Sequence, residues 1–292
     1  MNKRVIPDSE LVLKEDGSVY HLNLQPEDIA DNIILVGDPG RVELVASLFN
    51  KVELKKQNRE FYTITGIYKG KRLTVLSTGI GTDNIDIVIN ELDALVNIDL
   101  KQRIIKEQHT SLTFVRIGTT GTLQPEIPVD APIAAKVSLG FDNLLNYYAD
   151  RDKVSDKEME KAFVEHVSWS SILHRPYFVY ADQELFDKIA HDMYFGITIA
   201  APGFYGPQGR FLRLKPMDIK LNEKLQSFRF KDLRITNFEM ESSALYGLSK
   251  LLGHKALAIC NVIANRFRGE FSADYHKAIK NTIEIVLDRL SN

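Results

Sequence analysis

The sequence predicts an α/β protein with three layers, αβα, and a central mixed sheet. Apolar runs of strand length, such as Asn32–Val36, end on glycine and read as strands buried on both faces. Apolar residues at helical spacing follow several of them. Strands and helices then alternate along the chain, which calls for a parallel or mixed sheet covered on both sides. The chain has 292 residues, of which 44% are hydrophobic and 26% charged. That is enough to bury a large core, and residues 1–292 read as a single domain without repeats or a linker.

In order, Asn32–Val36 is the first strand. Asp38 caps the next helix, Pro39 suits its first turn, and Val42, Leu44, Val45 and Leu48 recur at helical spacing. Leu73–Ser77 is a second strand, followed by Gly79-Ile80-Gly81 and a helix from about Asp83 to Val96. Leu112–Ile117, Gly196–Ala200 and Leu257–Ile263 read as further strands. Met240–Leu252 is a helix that Gly253 stops, and Ala273–Leu290 is an amphipathic closing helix. Asn97–Thr110 either extends the helix before it or forms a surface excursion. Tyr148–Ser171 is dense in charge and reads as a solvated helix.

Composition excludes several classes of function. A formal net charge of -2 argues against a dedicated nucleic-acid binder. No run approaches the ~18 apolar residues of a membrane span, and Met1–Glu10 holds no apolar signal segment. Cys260 is the single cysteine, so no intrachain disulfide can form; its apolar strand makes it a small hydrophobe rather than a reactive thiol. A cytoplasmic setting is expected. The seven histidines show no His-x-x-x-His spacing and no Cys/His cluster, so a zinc centre is not expected.

Three stretches place arginine or glutamate beside strand ends. In Gly37-Asp38-Pro39-Gly40-Arg41, a loop opening a helix presents backbone N–H groups and the positive end of a helix dipole. Arg41 adds a guanidinium that can take two phosphate oxygens; alone, the segment also reads as a plain capped helix start. Arg116 lies within a core-like strand, where an arginine must find an anion. That anion is either a ligand, with Thr119, Thr120 and Gly121 at the strand's C-terminal end, or an internal partner such as Glu91 or Glu241. Glu239 and Glu241 flank Met240 at a strand-to-helix junction. Capping explains one carboxylate, and the other can accept paired sugar hydroxyls with the thioether against the sugar face.

In Phe204-Tyr205-Gly206-Pro207-Gln208-Gly209-Arg210, Phe204 can stack on a base. Gln208 and Arg210 match an edge with two carbonyls and one N–H; a surface turn is the other reading. Gly79-Ile80-Gly81 hints at a dinucleotide fingerprint, but Asn84 stands where that pattern needs a glycine, and no P-loop motif occurs.

Taken in order, Val36–Arg41, Asn58-Arg59-Glu60-Phe61, Ser77–Gly81, Arg116–Gly121, Phe204–Arg210, Asn237–Ser242 and Asn265-Arg266 resemble the motifs of the uridine phosphorylases. That group belongs to the nucleoside phosphorylase family together with the hexameric purine enzymes. The resemblance runs from about Tyr20 to Arg266. It implies a nucleoside phosphorylase-like fold, no organic cofactor, and phosphate-dependent cleavage of uridine to uracil and ribose 1-phosphate. It also implies a homodimer assembling to a hexamer with shared active sites.

By the same resemblance, Gly37, Arg41, Arg116 and Thr119 contact phosphate, and Arg59 reaches the phosphate of a neighbouring subunit. His21 contacts the neighbour's ribose, while Glu241, Met240 and Thr119 hold ribose within the subunit. Phe204, Gln208 and Arg210 recognise the base, with Gly121 and Glu239 nearby. Arg116, Glu241 and Arg210 are the catalytic set. The purine branch has Ser-Asp where this chain has Asn265-Arg266, so the substrate leans to pyrimidine. A potassium ion between subunits would use Glu60, Ile80 and Asn84, although Asn84 stands where the family has serine. The order glycine–proline at Gly206-Pro207 also reverses the family's usual order, and 97–110 and 148–171 look longer than usual. The alternatives are a purine phosphorylase or nucleosidase of the same fold, or a nucleoside-binding protein without turnover.

Overall fold

The apolar runs become the inner strands of one sheet. The computed structural model describes residues 4–292; Met1–Lys3, part of the N-terminal stretch read above, lie outside the described residues. Strand β1 (Asn32–Val36) leads into α1 (Pro39–Ala46), where the Asp38 carboxylate accepts the Gly40 N–H at 2.9 Å. An antiparallel meander follows, β2 (Lys51–Asn58), β3 (Phe61–Tyr68) and β4 (Lys71–Ser77). Helix α2 (Thr82–Asn97) buries Ile85, Val88, Ile89, Leu92 and Leu95 along one stripe. Each such side chain is worth about 1.5–3 kcal/mol of apolar burial. Strands β5 (Ile98–Asp99) and β6 (Ile104–Ile105) then pair antiparallel. Asn97–Thr110 is thus an excursion, closed at its base by the Asn97 carboxamide, which bonds both the Thr110 N–H and its carbonyl.

The rest of the chain comprises β7 (Thr113–Thr122), β8 (Pro132–Gly140), α3 (Arg151–Val154), α4 (Lys157–Val167), β9 (Tyr177–Tyr180), α5 (Gln183–Ile189) and β10 (Tyr194–Ala200). It ends with α6 (Leu221–Ser227), β11 (Arg229–Phe230), β12 (Leu233–Glu239), α7 (Ser242–Leu252), β13 (Lys255–Asn265), β14 (Glu270–Phe271) and α8 (Tyr275–Ser291). Gly253, at φ +78°, ends α7 in the left-handed conformation, as expected.

Among the described residues twelve strands form one sheet, running β11-β12-β10-β8-β13-β7-β1-β4-β3-β2, with β9 on β8 and β14 on β13. Pairings of β1 with β4 and β7, and of β10 with β8 and β12, are parallel, while β8 meets β13 antiparallel. The sheet is therefore mixed. Helix α2 packs on α7, and α1 and α5 pack on α8. One feature places the site: β12 also pairs antiparallel with the end of β7, through Asn237 with Thr122 and Phe238 with Gly121. The sheet curls until strands far apart in its order touch.

Two readings need correction. The strand expected at Leu112–Ile117 continues to Thr122, so Thr119, Thr120 and Gly121 are its paired C-terminal end. They are held by β13 on one side and, at Gly121, by β12. Tyr148–Ser171 is not one solvated helix. It is broken into α3 and α4, and α4 buries Met159, Phe163 and Val167 in a second apolar cluster with Phe178, Phe228 and Leu225. Its Glu160 is fully buried, accepting from Arg151, Arg175 and the Ser155 hydroxyl. The charges that made the segment look solvated are partly an internal ion network.

Candidate active site

Where β7 and β12 meet, a cavity of about 330 Å³ opens. Gly37 enters it from the β1–α1 turn, Arg41 from the first turn of α1, Arg116, Thr119 and Gly121 from β7, and Glu239, Met240 and Glu241 from the β12–α7 junction. Phe204, Gln208 and Arg210 come from the loop after β10. Eleven residues from separate parts of the sequence thus line one space.

Arg116 is 5% exposed. Its Nη2 donates to Glu241 Oε2, so of the two internal partners considered, Glu241 is the one found. Glu91 is occupied elsewhere. The pair does not consume the guanidinium, because Nε and Nη1 are buried without a hydrogen-bond partner. Leaving such donors unpaired is costly, and Arg116 lines the cavity, so an anion reaching them there would offset that cost. Burial pulls the Arg116 pKa down, but Glu241 and Glu239 outweigh it and the net shift is upward. Nearby Arg41 donates to the Ile117 carbonyl at 3.2 Å, and burial and the Arg116 charge lower its pKa. Two guanidinium groups held close together in a partly dry space favour an anion between them.

The two glutamates divide their labour. Glu239 is the cap: it accepts from the Glu241 and Ser242 N–H groups and from the Ser242 hydroxyl. Burial, and then the Glu241 charge, push its carboxyl up to about 7. The Glu241 side chain makes no capping bond to α7. It is 3% exposed, with Oε2 on Arg116 and Oε1 accepting the Gly81 N–H at 2.8 Å. Helix α7 starts at Ser242 rather than Met240, and this leaves Met240 and Glu241 free to face the cavity.

The loop after β10 is arranged differently. Phe204 is 50% exposed, and the Arg210 guanidinium lies 3.7 Å from its ring centroid. Arg210 Nη1 donates to the Phe204 carbonyl and to Gln208 Oε1, both at 2.5 Å. Burial lowers the Arg210 pKa. Arg266 was read only as a marker in the sequence. It braces this loop by donating to the Gln208 carbonyl at 2.8 Å, and burial followed by the Arg210 charge brings its pKa down to about 10. Next to it, Asn265 Nδ2 donates to the Gln124 and Ile127 carbonyls, and its Oδ1 accepts from the Phe267 and Arg268 N–H groups.

His21 and Arg59 do not line this cavity. The His21 ring bonds Glu91 at 2.6 Å, and Glu91 also accepts the N–H groups of His21 and Leu22. Arg59 is exposed on the β2–β3 turn, 5.9 Å from the Tyr20 ring. The Glu60 and Asn84 side chains each lie against Gly79, while Ile80 is exposed at the cavity edge.

Sequence spacing does not show the Gly81–Glu241 hydrogen bond or the bracing by Arg266. A Gly-x-Gly turn and an Asn-Arg pair were visible, but only the curl of the sheet brings them to Glu241 and Gln208. Spacing also hid a cluster of Asp93, His109 and His254, whose candidate ligand atoms lie within 4.8 Å of one another. Both ring nitrogens of His254 are engaged, Nδ1 by the Leu112 N–H and Nε2 by Asp93. Cys260 is buried on β13, and burial drives its pKa to about 12.

Residues 31–291 match the model of the Phosphorylase superfamily, and the chain belongs to that family. A uridine phosphorylase of Thermococcus kodakarensis is 32% identical over 265 residues, 88% of this chain and 81% of the relative. A DeoD-type purine nucleoside phosphorylase of Listeria welshimeri is 29% identical over 269 residues, 91% of this chain and 96% of the relative. Among solved structures, a Trypanosoma brucei nucleoside phosphorylase described as showing uridine phosphorylase activity aligns with a TM-score of 0.87. It is 30% identical and covers 96% of this chain and 99% of that one.

Proposed function

We propose that this protein is a pentosyltransferase that cleaves uridine with phosphate, reversibly, to uracil and ribose 1-phosphate. The observation that carries the reading is the buried Arg116, paired to Glu241 on one nitrogen and unpartnered on two others, at the wall of a cavity shared with Arg41 and the base loop. The uridine phosphorylases among its relatives support the choice of substrate.

In this reading phosphate lies against Arg116, Arg41, Gly37 and Thr119, with Arg59 supplied by a neighbouring copy of the chain. One phosphate oxygen attacks the anomeric carbon. The glycosidic C–N bond breaks through an oxocarbenium-like state, and its electron pair leaves with uracil. Arg210 and Gln208 stabilise that charge as it develops on the uracil carbonyls, with Phe204 against the ring and Gly121 and Glu239 lining the base end. Glu241 and Met240 hold the ribose, helped by Thr119 and by His21 from a neighbouring copy. Holding phosphate and nucleoside in line supplies up to ~7–11 kcal/mol of the barrier reduction.

The same reaction implies a cytoplasmic enzyme of pyrimidine salvage, active as a homodimer assembling to a hexamer with shared active sites. A potassium ion is proposed at Glu60, Ile80 and Asn84. Carboxylate, carbonyl and amide oxygens suit a hard cation, and the Glu60 and Asn84 side chains both lie against Gly79. The ion would supply positive charge at the subunit contact, and no step passes through it.

Purified protein with uridine should release uracil only when phosphate is present, and hypoxanthine from inosine far more slowly. Uracil release without phosphate would indicate a nucleosidase, a preference for inosine a purine enzyme, and no release from either nucleoside a binding protein.

A further inference from the structure

The Gly79-Ile80-Gly81 turn matched no dinucleotide site, and the proposed chemistry leaves Gly81 without a role. Its backbone sits at φ +100°, ψ 161°, a region essentially closed to residues with a side chain. A Cβ built there would come 2.6 Å from Asp83 Oδ1. This backbone directs the Gly81 N–H at Glu241 Oε1, 2.8 Å away. Arg116 holds the other oxygen. The Glu241 carboxylate is therefore gripped at both ends by groups whose own positions are fixed, one by a strand and one by a turn open only to glycine. It keeps lone pairs free for a ligand, because a carboxylate accepts about four hydrogen bonds.

We infer that Gly81 is a positioning residue: its N–H sets the plane of the Glu241 carboxylate so that the free lone pairs meet the sugar hydroxyls of the substrate. The inference rests on the phosphorolysis reading for its kinetic consequence but not for the contact itself, and the two parts are tested separately.

The contact is tested on the full-length protein by amide NMR. In Glu241→Ala the Gly81 amide proton should move upfield and exchange faster with solvent, while the Gly79 amide changes little. An unmoved Gly81 amide overturns the inference whether or not uridine is turned over.

The consequence is tested by comparing uridine with 2′-deoxyuridine. Gly81→Ala should lower kcat/KM for uridine about tenfold more than for the deoxy substrate, the loss equivalent to one charge-assisted hydrogen bond, with the phosphate KM unchanged. A merely structural effect would lower both substrates equally, and that result overturns the inference. Because Gly81→Ala can also unsettle the start of α2, Gly81→Ala/Asp83→Ala removes the side-chain clash while leaving the forbidden backbone. The double variant should keep the uridine-selective loss, and full recovery of uridine turnover would show that the clash alone mattered.

Discussion

Arg116 and Arg210 line the same cavity, yet one is buried in a ten-residue strand and the other rides a half-exposed loop. Around Arg116 the partners come from distant elements: Glu241 after β12, then Gly81 before α2, with Glu239 holding the backbone between them. Around Arg210 every hydrogen-bond partner comes from its own loop, Gln208 and the Phe204 carbonyl. The first region is set before any ligand arrives and leaves two donors vacant. In the second, the Arg210 side chain is satisfied from within its loop and must exchange partners to take a base. In the proposed reaction, a fixed charge placed by the fold suits the attacking phosphate, and an adaptable loop suits the nucleobase. The first should govern rate and stability together, the second apparent affinity.

The largest effect is expected at Arg116. Arg116→Ala should reduce kcat/KM roughly 10²–10³-fold, as for loss of a preorganised charge-stabilising donor. It should also lower stability by about 3–5 kcal/mol, because a buried Glu241 carboxylate is left uncompensated. Adding Glu241→Gln should restore most of that stability, measured by urea unfolding, and none of the activity. If Arg116→Ala alone is as stable as the wild type, the prewired half of the contrast is wrong.

Arg210→Ala should be the next largest, with uridine kcat/KM down about 10–100-fold and phosphate KM unchanged. Its stability should stay within about 0.5 kcal/mol of the wild type. A larger rise in phosphate KM than in uridine KM would move Arg210 out of the base end.

Glu239 sharpens the comparison through pH. Its folded pKa, about 7, is raised from the ordinary 4.5, so the protonated form is favoured in the folded state. Its stabilising contribution is full below the ordinary carboxylate range and is lost as pH rises through 7. Wild-type Tm should therefore fall between about pH 5 and pH 8 more steeply than that of Glu239→Gln, at constant ionic strength. Parallel slopes would remove Glu239 from the prewired region.

The smallest effect is expected at Phe204. Replacing it with alanine removes one partly exposed cation–π contact, ~0.5–1 kcal/mol, and should raise uridine KM about two- to fivefold.

Much of this was legible in the sequence. Asn32–Val36, Asp38 and Gly253 act locally, through burial, capping and chain reversal, and local patterns report them faithfully. The same holds for the residues that gather around the cavity, because strand ends and glycine turns mark where ligands meet an α/β sheet. What stayed hidden depends on closure. No spacing announces that Phe238 pairs with Gly121, so the link from Gly81 to Glu241 could not be read. Arg116 showed the limit clearly: its burial was evident from Leu112–Ile117, but its partner remained open between Glu91 and Glu241. Charge counting misled at Lys157–Val167, because Glu160 is neutralised inside the protein instead of facing water.

The Asn265 carboxamide has an implication for anyone wishing to redirect the enzyme toward another nucleobase. Placing a serine–aspartate pair at 265–266 looks like a two-letter edit. A serine is too short to span the stretch at 124–127 and the turn at 267–268 at once, so three carbonyls and two amides now tied by one side chain would come loose. Such a conversion has to be grafted as a module, with both loops imported together.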